Sequence, residues 1–170
     1  MSKSIPEMLT ASAEEVLETM FFTQVIGRGQ EAGSSDVEAE KKPYIAVRLC
    51  FLGGAEPGGN PSTDRPGGHF DIEVSRAGAQ WIASSFLAAD DGSVPQHRVA
   101  DVICELTNVV CGNILSNIAS HSGFSRFGFS MLSPEVIRGR SLEWPHAVRY
   151  EEFFQLERGW LTLRLGLANA

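Results

Sequence analysis

The sequence predicts an α+β fold: a mainly antiparallel sheet with two long helices packed on one face. Two observations carry this. Strand-like segments come in pairs, and helical segments separate the pairs instead of alternating with single strands. The last pair is the clearest. Leu161, Leu163, Leu165 and Leu167 alternate with Thr162, Arg164 and Gly166 directly after the turn residues Glu157-Arg158-Gly159, the period of two that a strand imposes. A chain of 170 residues suits one domain with its own core, so 1–170 is read as a single domain.

The first helix is expected over about Pro6 to Thr23. Ser4 with Glu7, and Ser12 with Glu15, have capping-box spacing. Met8, Leu9, Val16, Leu17 and Met20 recur near helical spacing. Residues 27–42 are rich in Gly, Ser and Glu and read as a polar connector. Tyr44 to Leu52 has strand composition. Residues 53–68 hold six glycines and three prolines, which argues for a flexible hairpin tip. No Gly-Lys-Ser/Thr follows, so it is not a phosphate-cradling loop. Phe70, Ile72 and Val74 alternate with Asp71 and Glu73, a half-buried strand returning antiparallel.

Gly78 to Ala89 reads as a helix with Trp81, Ile82, Phe86 and Leu87 on its apolar side, broken by Asp90-Asp91-Gly92-Ser93. A longer helix is expected over about Gln96 to Ser120. Residues 122–139 read as loop or short strand around Pro134, with Phe124, Phe127, Phe129 and Met131 as core strand positions. Ala147 to Leu167 is a hairpin that offers a possible sheet edge.

Composition narrows the function. Fourteen Lys and Arg against 21 Asp and Glu give a net charge of −7. A nucleic-acid binder or a protein docked on anionic lipid would carry a basic footprint instead. No signal peptide is read at the start and no run approaches roughly 18 apolar residues, so a cytoplasmic protein with no membrane partner is expected. Cys50, Cys104 and Cys111 form no Cys-x-x-Cys pair, and are expected as small buried hydrophobes in a reducing compartment. His69, His97, His121 and His146 show no metal-ligand spacing and are expected on the surface or in loops. No Gly-x-Ser-x-Gly elbow occurs.

The long helix carries the chemical signal. Val99, Val102, Ile103, Leu106, Val110 and Ile114 fall on one side of a helical wheel, a face for the core. Asp101, Glu105, Asn108 and Gly112 form one stripe on the opposite side. An exposed helix face is ordinarily polar. Asn and Gly are nevertheless poor helix-interior residues, Gly by roughly 1 kcal/mol against Ala, and placing both on one exposed stripe weakens the helix with no packing benefit. Gly112 leaves bare backbone that a partner can approach closely. Asn113 and Asn117 fall on the apolar side and are expected to bond to backbone near the helix end.

The run Asp101-Val-Ile-Cys-Glu105-Leu-Thr-Asn108-Val-Val-Cys-Gly112-Asn113 resembles the signature of the CheC/CheX/FliY chemotaxis phosphatases. That pattern is Asp or Ser, three residues, Glu, two residues, Asn, and later a Pro. Asp101, Glu105 and Asn108 match it in type and spacing. Pro134 is the equivalent of the Pro, a few residues further along than the pattern has it. Ala13-Glu-Glu-Val-Leu-Glu-Thr-Met-Phe-Phe22 resembles the opening helix of CheX-like domains. CheC-type chains repeat the motif in that helix. Here the positions read Glu15-Val-Leu-Glu18 with no Asn, as in a CheX-like chain with one active site.

The resemblance implies a CheC/CheX-like fold and hydrolysis of an aspartyl phosphate on a CheY-like phosphorylated response regulator. The partner would bring its own Mg²⁺ and lysine, so the chain needs no cofactor or metal of its own. Asn108 would orient the attacking water, since an amide both donates and accepts without repelling the phosphoryl group. Glu105 would pair with the regulator's lysine. Asp101, Gly112 and Pro134 would be partner-binding, with Asp101 as a rim contact or helix-start charge. The resemblance also implies a possible homodimer through the sheets. Two other functions keep the fold without the chemistry: a binding module for a receiver domain, and an adaptor in a flagellar or receptor complex.

Overall fold

A computed structural model describes residues 4–29, 44–53, 67–121, 129–137 and 148–167. Helix α1 (Ile5–Thr19) starts on a capping box: the Ser4 N–H donates to Glu7 Oε2 at 2.7 Å, and Ser4 Oγ accepts from the Glu7 N–H at 3.4 Å. The second box spacing is not used, because Ser12 lies inside the helix and is buried. The helix also stops short of Thr23. Phe22 takes a positive φ of 50°, which an α-helix cannot continue through.

Strand β1 (Val25–Arg28) runs into the segment expected to be connector, so Gly27 and Arg28 belong to the sheet. Its partner is β6 (Val148–Leu156), far away in sequence, and the register shifts between Val25 and Gly27. Four residues with a shifted register leave no alternation to read. Residues 30–42 of that connector lie outside the described residues.

Strands β2 (Ile45–Gly53) and β3 (Gly67–Val74) pair antiparallel from Ile45 opposite Val74 to Leu52 opposite Gly67. The expected hairpin tip therefore gives up Gly53, Gly67 and Gly68 to strands, and 54–66 lie outside the described residues. Gly68 is where the backbone needs a glycine. A Cβ there would collide with the Gly166 carbonyl oxygen and lie 2.6 Å from the Phe51 ring.

Strand β3 is buried on both faces, not half-buried as expected. It lies inside the order β1-β6-β7-β3-β2-β4, where β7 is Trp160–Leu167 and β4 is Phe129–Met131, with β5 (Glu135–Ile137) also on β2. His69 and Asp71, on its far side from the helices, are both 0% exposed. Asp71 is compensated by two 2.8 Å bonds from its cross-strand partner Arg48, the pairing a buried charge requires. That bond holds the Arg48 guanidinium above its ordinary pKa. The His69 ring packs over Gly166, where a Cβ would collide with it. His69 is thus a core histidine, contrary to expectation.

Helix α2 (Arg76–Leu87) begins two residues before the expected Gly78, because Ser75 caps it: Ser75 Oγ accepts from the Gly78 N–H at 3.1 Å and from the Trp160 N–H at 3.0 Å. The cap therefore also fixes the turn before β7 (Trp160–Leu167). Phe86 is not buried, but it stacks on Phe21 at 4.7 Å between centroids. Hairpin β6–β7 sits inside the sheet, with β6 against β1 and β7 against β3. The expected edge is thus covered by β1 at Phe154–Leu156 and by β3 along β7. The edges are β1 and the pair β4 (Phe129–Met131) and β5 (Glu135–Ile137), both on β2.

One helix, α3 (Gln96–His121), threads the core. Its stretch Gln96–Ser120 is long and apolar enough to cross a membrane by length and composition, contrary to expectation. Its apolar side is occupied by protein instead. Val99, Ile103, Leu106, Val110 and Ile114 are all 1% exposed or less, in one cluster with Leu9, Val16, Ile82, Phe70, Ile72, Leu163 and Leu165. All three described helices thus cover the face bearing Val47, Leu49 and Phe51.

Candidate functional site

The buried side of α3 forces the opposite side outward. Asp101 and Glu105 are exposed there, while Asn108 and Gly112 are half-buried. On a helix, residues three or four apart stand about 5–6 Å from each other at Cβ. Glu105 and Asn108 therefore project side by side from a helix whose other face is locked by packing. The structure brings Asp101, Glu105, Asn108 and Gly112 together as the spacing requires.

Pro134 lies on the β4–β5 edge and is half-buried. Met131 pairs with Phe51 and Glu135 with Arg48. Leu132, Ser133 and Pro134 thus face only Leu49 and Cys50, a bulge. Pro134 has no N–H to give to the ladder at that break, whereas the Leu132 N–H still donates to the Cys50 carbonyl at 2.9 Å.

The same edge supplies a residue that the sequence placed in the core. Met131 is 41% exposed, and its methyl and sulfur stand 3.5 and 3.8 Å from where a Cβ on Gly112 would lie. The bare backbone at Gly112 is thus partly roofed by a thioether. Phe129 is half-buried on the same short strand; Phe124 and Phe127 lie outside the described residues. Only knowledge that this segment pairs at an edge could have revealed Met131.

Asn113 and Asn117 have a structural role in which side-chain bonds take part. The Asn117 amide donates to Ser12 Oγ of α1 and to Asn113 Oδ1, both at 2.9 Å. They lie on the packed side, away from the stripe.

Thiol chemistry is not favoured. Burial pushes the Cys50, Cys104 and Cys111 thiols up, and the Asp101 charge raises Cys104 further. A nucleophilic cysteine needs the opposite shift. Cys50 is exposed, contrary to expectation, and Cys104 is half-buried. Among the described residues no group of His, Cys, Asp or Glu could hold a metal ion. What the stripe can do is present two carboxylates and one neutral amide, in fixed register, to a partner's surface.

Comparison with known proteins agrees. The sequence pattern of the family described as chemotaxis phosphatase CheX matches residues 62–156. No curated protein matches the chain. Solved structures are similar over nearly the full length. A chemotaxis protein CheX from Vibrio vulnificus is 17% identical, with 97% of each chain covered and a TM-score of 0.70. A CheC-like superfamily protein from Shewanella sp. PV-4 is 18% identical, covering 99% of this chain and 100% of that one, with a TM-score of 0.68. CheX in a CheX–CheY–BeF₃–Mg²⁺ complex from Borrelia burgdorferi is 14% identical, covering 98% and 99%, with a TM-score of 0.64. These likenesses establish a CheX/CheC-like α+β fold. The pattern match spans more than half of the sequence and includes Asp101, Glu105 and Asn108, so the chain belongs to the chemotaxis phosphatase CheX family.

Proposed function

We propose that the protein hydrolyses the aspartyl phosphate of a CheY-like receiver domain in chemotaxis or two-component signalling. The observation that carries this is the pairing of exposed Glu105 with half-buried Asn108 on the solvent side of α3. An acyl phosphate is already reactive, and catalysis consists mainly of positioning and charge stabilisation. Asn108 accepts one hydrogen bond from water and donates another, holding the water in line with phosphorus. Glu105 pairs with the receiver's lysine, which sets register. Asp101 adds charge at the rim, and Gly112 and Pro134 border the contact. Mg²⁺ belongs to the phosphorylated receiver. The Borrelia burgdorferi relative bound to CheY supports such a partner. On this basis the protein works in the cytoplasm, where receivers are phosphorylated, and light scattering tests for a homodimer.

The test is phosphate release from a phosphorylated CheY-like receiver. Wild type accelerates release, and Asn108→Ala lowers kcat about a hundredfold, the scale of losing one positioned polar group. An unchanged rate in Asn108→Ala would overturn the mechanism. Tight receiver binding by wild type with no acceleration would point to the non-catalytic binding module.

A further inference from the structure

The described residues expose several large apolar side chains: Leu52 on β2, Phe86 on α2, and two groups at the sheet edges. Met20, Phe22 and Ile26 lie at the end of α1 and on β1, at one edge of the sheet. Met131, Leu132 and Val136 lie on the β4–β5 edge, at the other. Only the second group adjoins the stripe on α3. Met131 reaches the Gly112 position, one turn beyond Asn108, and β5 abuts α3.

We infer that Met131 and Val136 form an apolar shelf that seats the receiver domain beside Glu105 and Asn108. Met131 and Val136 stand opposite Phe51 and Val47 in register, so they share the helix-facing side of the sheet. Phe51 and Val47 are at most 1% exposed, whereas Met131 and Val136 are 41% and 37% exposed. The difference arises because these two strands are the outermost, and because α3 offers only a glycine at 112 where a side chain would otherwise meet Met131. Leu132, whose N–H donates to the Cys50 carbonyl, follows Cys50 to the other side of the sheet and is outside the shelf. Apolar surface is costly to leave in water, and a flexible thioether adapts to a partner's contour.

The occupant is the receiver because the shelf is continuous with the stripe. A body centred on Asn108 that extends one helical turn to Gly112 meets Met131 there. The polarity is also ordered: carboxylates at the Asp101–Glu105 end, apolar side chains at the Gly112 end. This matches a partner surface with a cation beside its phosphoryl site and an apolar patch about one helical turn further on. The shelf rests on the receiver-phosphatase function proposed above. It adds an apolar contribution to affinity, distinct from Asn108, which sets turnover.

The experiment separates the two. Steady-state dephosphorylation of a phosphorylated CheY-like receiver is measured for wild type, Met131→Ala, Val136→Ser, Asn108→Ala and, as control, Phe22→Asn at the far edge. Binding of the beryllofluoride-loaded, Mg²⁺-bound receiver is measured in parallel by calorimetry. Met131→Ala and Val136→Ser each raise KM and Kd at least about fivefold, the scale for truncating an interface anchor, with kcat within about twofold. Phe22→Asn leaves both constants as in wild type. Unchanged KM and Kd in both shelf variants, with Asn108→Ala still defective in kcat, would overturn the shelf alone. No effect of Asn108→Ala on kcat would overturn the proposed chemistry. Loss of self-association in the shelf variants without any change in receiver affinity would assign the surface to a second copy and overturn the receiver as occupant.

Discussion

The Asn117 amide donates to Ser12 Oγ at 2.9 Å and so ties α3 to α1 across the core. Ser12 is 1% exposed, so its hydroxyl has little access to water. Asn117 gives its other donor to Asn113. Removing the amide strands two polar groups at once. Asn117→Ala is expected to lower the unfolding free energy by about 1–3 kcal/mol. Ser12→Ala alone should cost less, since it removes the stranded group and leaves a better helix former. The double variant should recover part of the Asn117→Ala loss. Urea denaturation of the three variants measures this, and simple additivity would show that the two residues do not act as a pair.

Two glycines make opposite predictions. Gly159 has a φ of 76°, and a Cβ there would collide with Ser75 Oγ and lie 2.6 Å from the Gly78 nitrogen. Gly159→Ala should therefore cost about 2 kcal/mol or more, because the α2 cap and the β6–β7 turn share that space. Gly112 lies in a helix, and its added Cβ would meet only the Met131 side chain at 3.5 Å. Gly112→Ala should raise stability by up to about 1 kcal/mol through helix propensity. The same variant should raise KM for the receiver, whose approach would meet the new methyl. A Gly112→Ala protein that is more stable and equally active would remove Gly112 from the contact.

Burial pushes the Cys111 thiol well above its ordinary value, and this sets an alkaline limit on stability. As pH rises past about 8.5 the unfolded thiol ionises, while the folded one keeps its proton. The folded state then binds more protons, so stability present below that pH is lost as pH rises. The limiting slope is about 1.4 kcal/mol per pH unit for one such thiol. Cys104 and Cys50 shift in the same direction and contribute a remainder. Cys111→Ala, unfolded in urea under reducing conditions at several pH values above about 8.5, should show a shallower decline than wild type. Parallel declines would mean that Cys111 ionises in the folded protein.

How much of this was readable in the sequence differed by element. The α3 stripe was legible because both its faces obey one helical period, and the core confirms Val99 through Ile114 on the buried side. The β7 alternation was legible for the same reason. What failed depended on neighbours distant in sequence. His69 and Asp71 have the spacing of an exposed strand face, but β7 and β2 flank them and Arg48 compensates the charge. Strand β1 is defined by its pairing with β6 and not by its own residues. Gly67 and Gly68 look like loop until Gly166 and Phe51 come close. Met131 has core composition, and only its place on an outermost strand exposes it. The candidate residues of the stripe could thus be found without the fold, while the surface around them could not.

Glu105 is expected to act through charge, and that has a signature separate from stability. It is exposed on α3, so Glu105→Gln should change the unfolding free energy by no more than about 0.5 kcal/mol. In the complex its carboxylate would meet a lysine, and removing the charge should weaken receiver affinity. Salt distinguishes this from a loss of packing. Between about 0.01 M and 0.15 M ionic strength the screening length falls from about 30 Å to about 8 Å. Wild-type KM should rise over that range. Glu105→Gln should start higher and rise less, because one attractive pair is already gone. Glu105→Lys should be worse than Glu105→Gln at low salt and approach it at high salt, since repulsion is screened as attraction is. Equal salt slopes in wild type and Glu105→Gln would show that Glu105 meets no cation, and Asn108 would then have to find its register from the Met131 shelf alone.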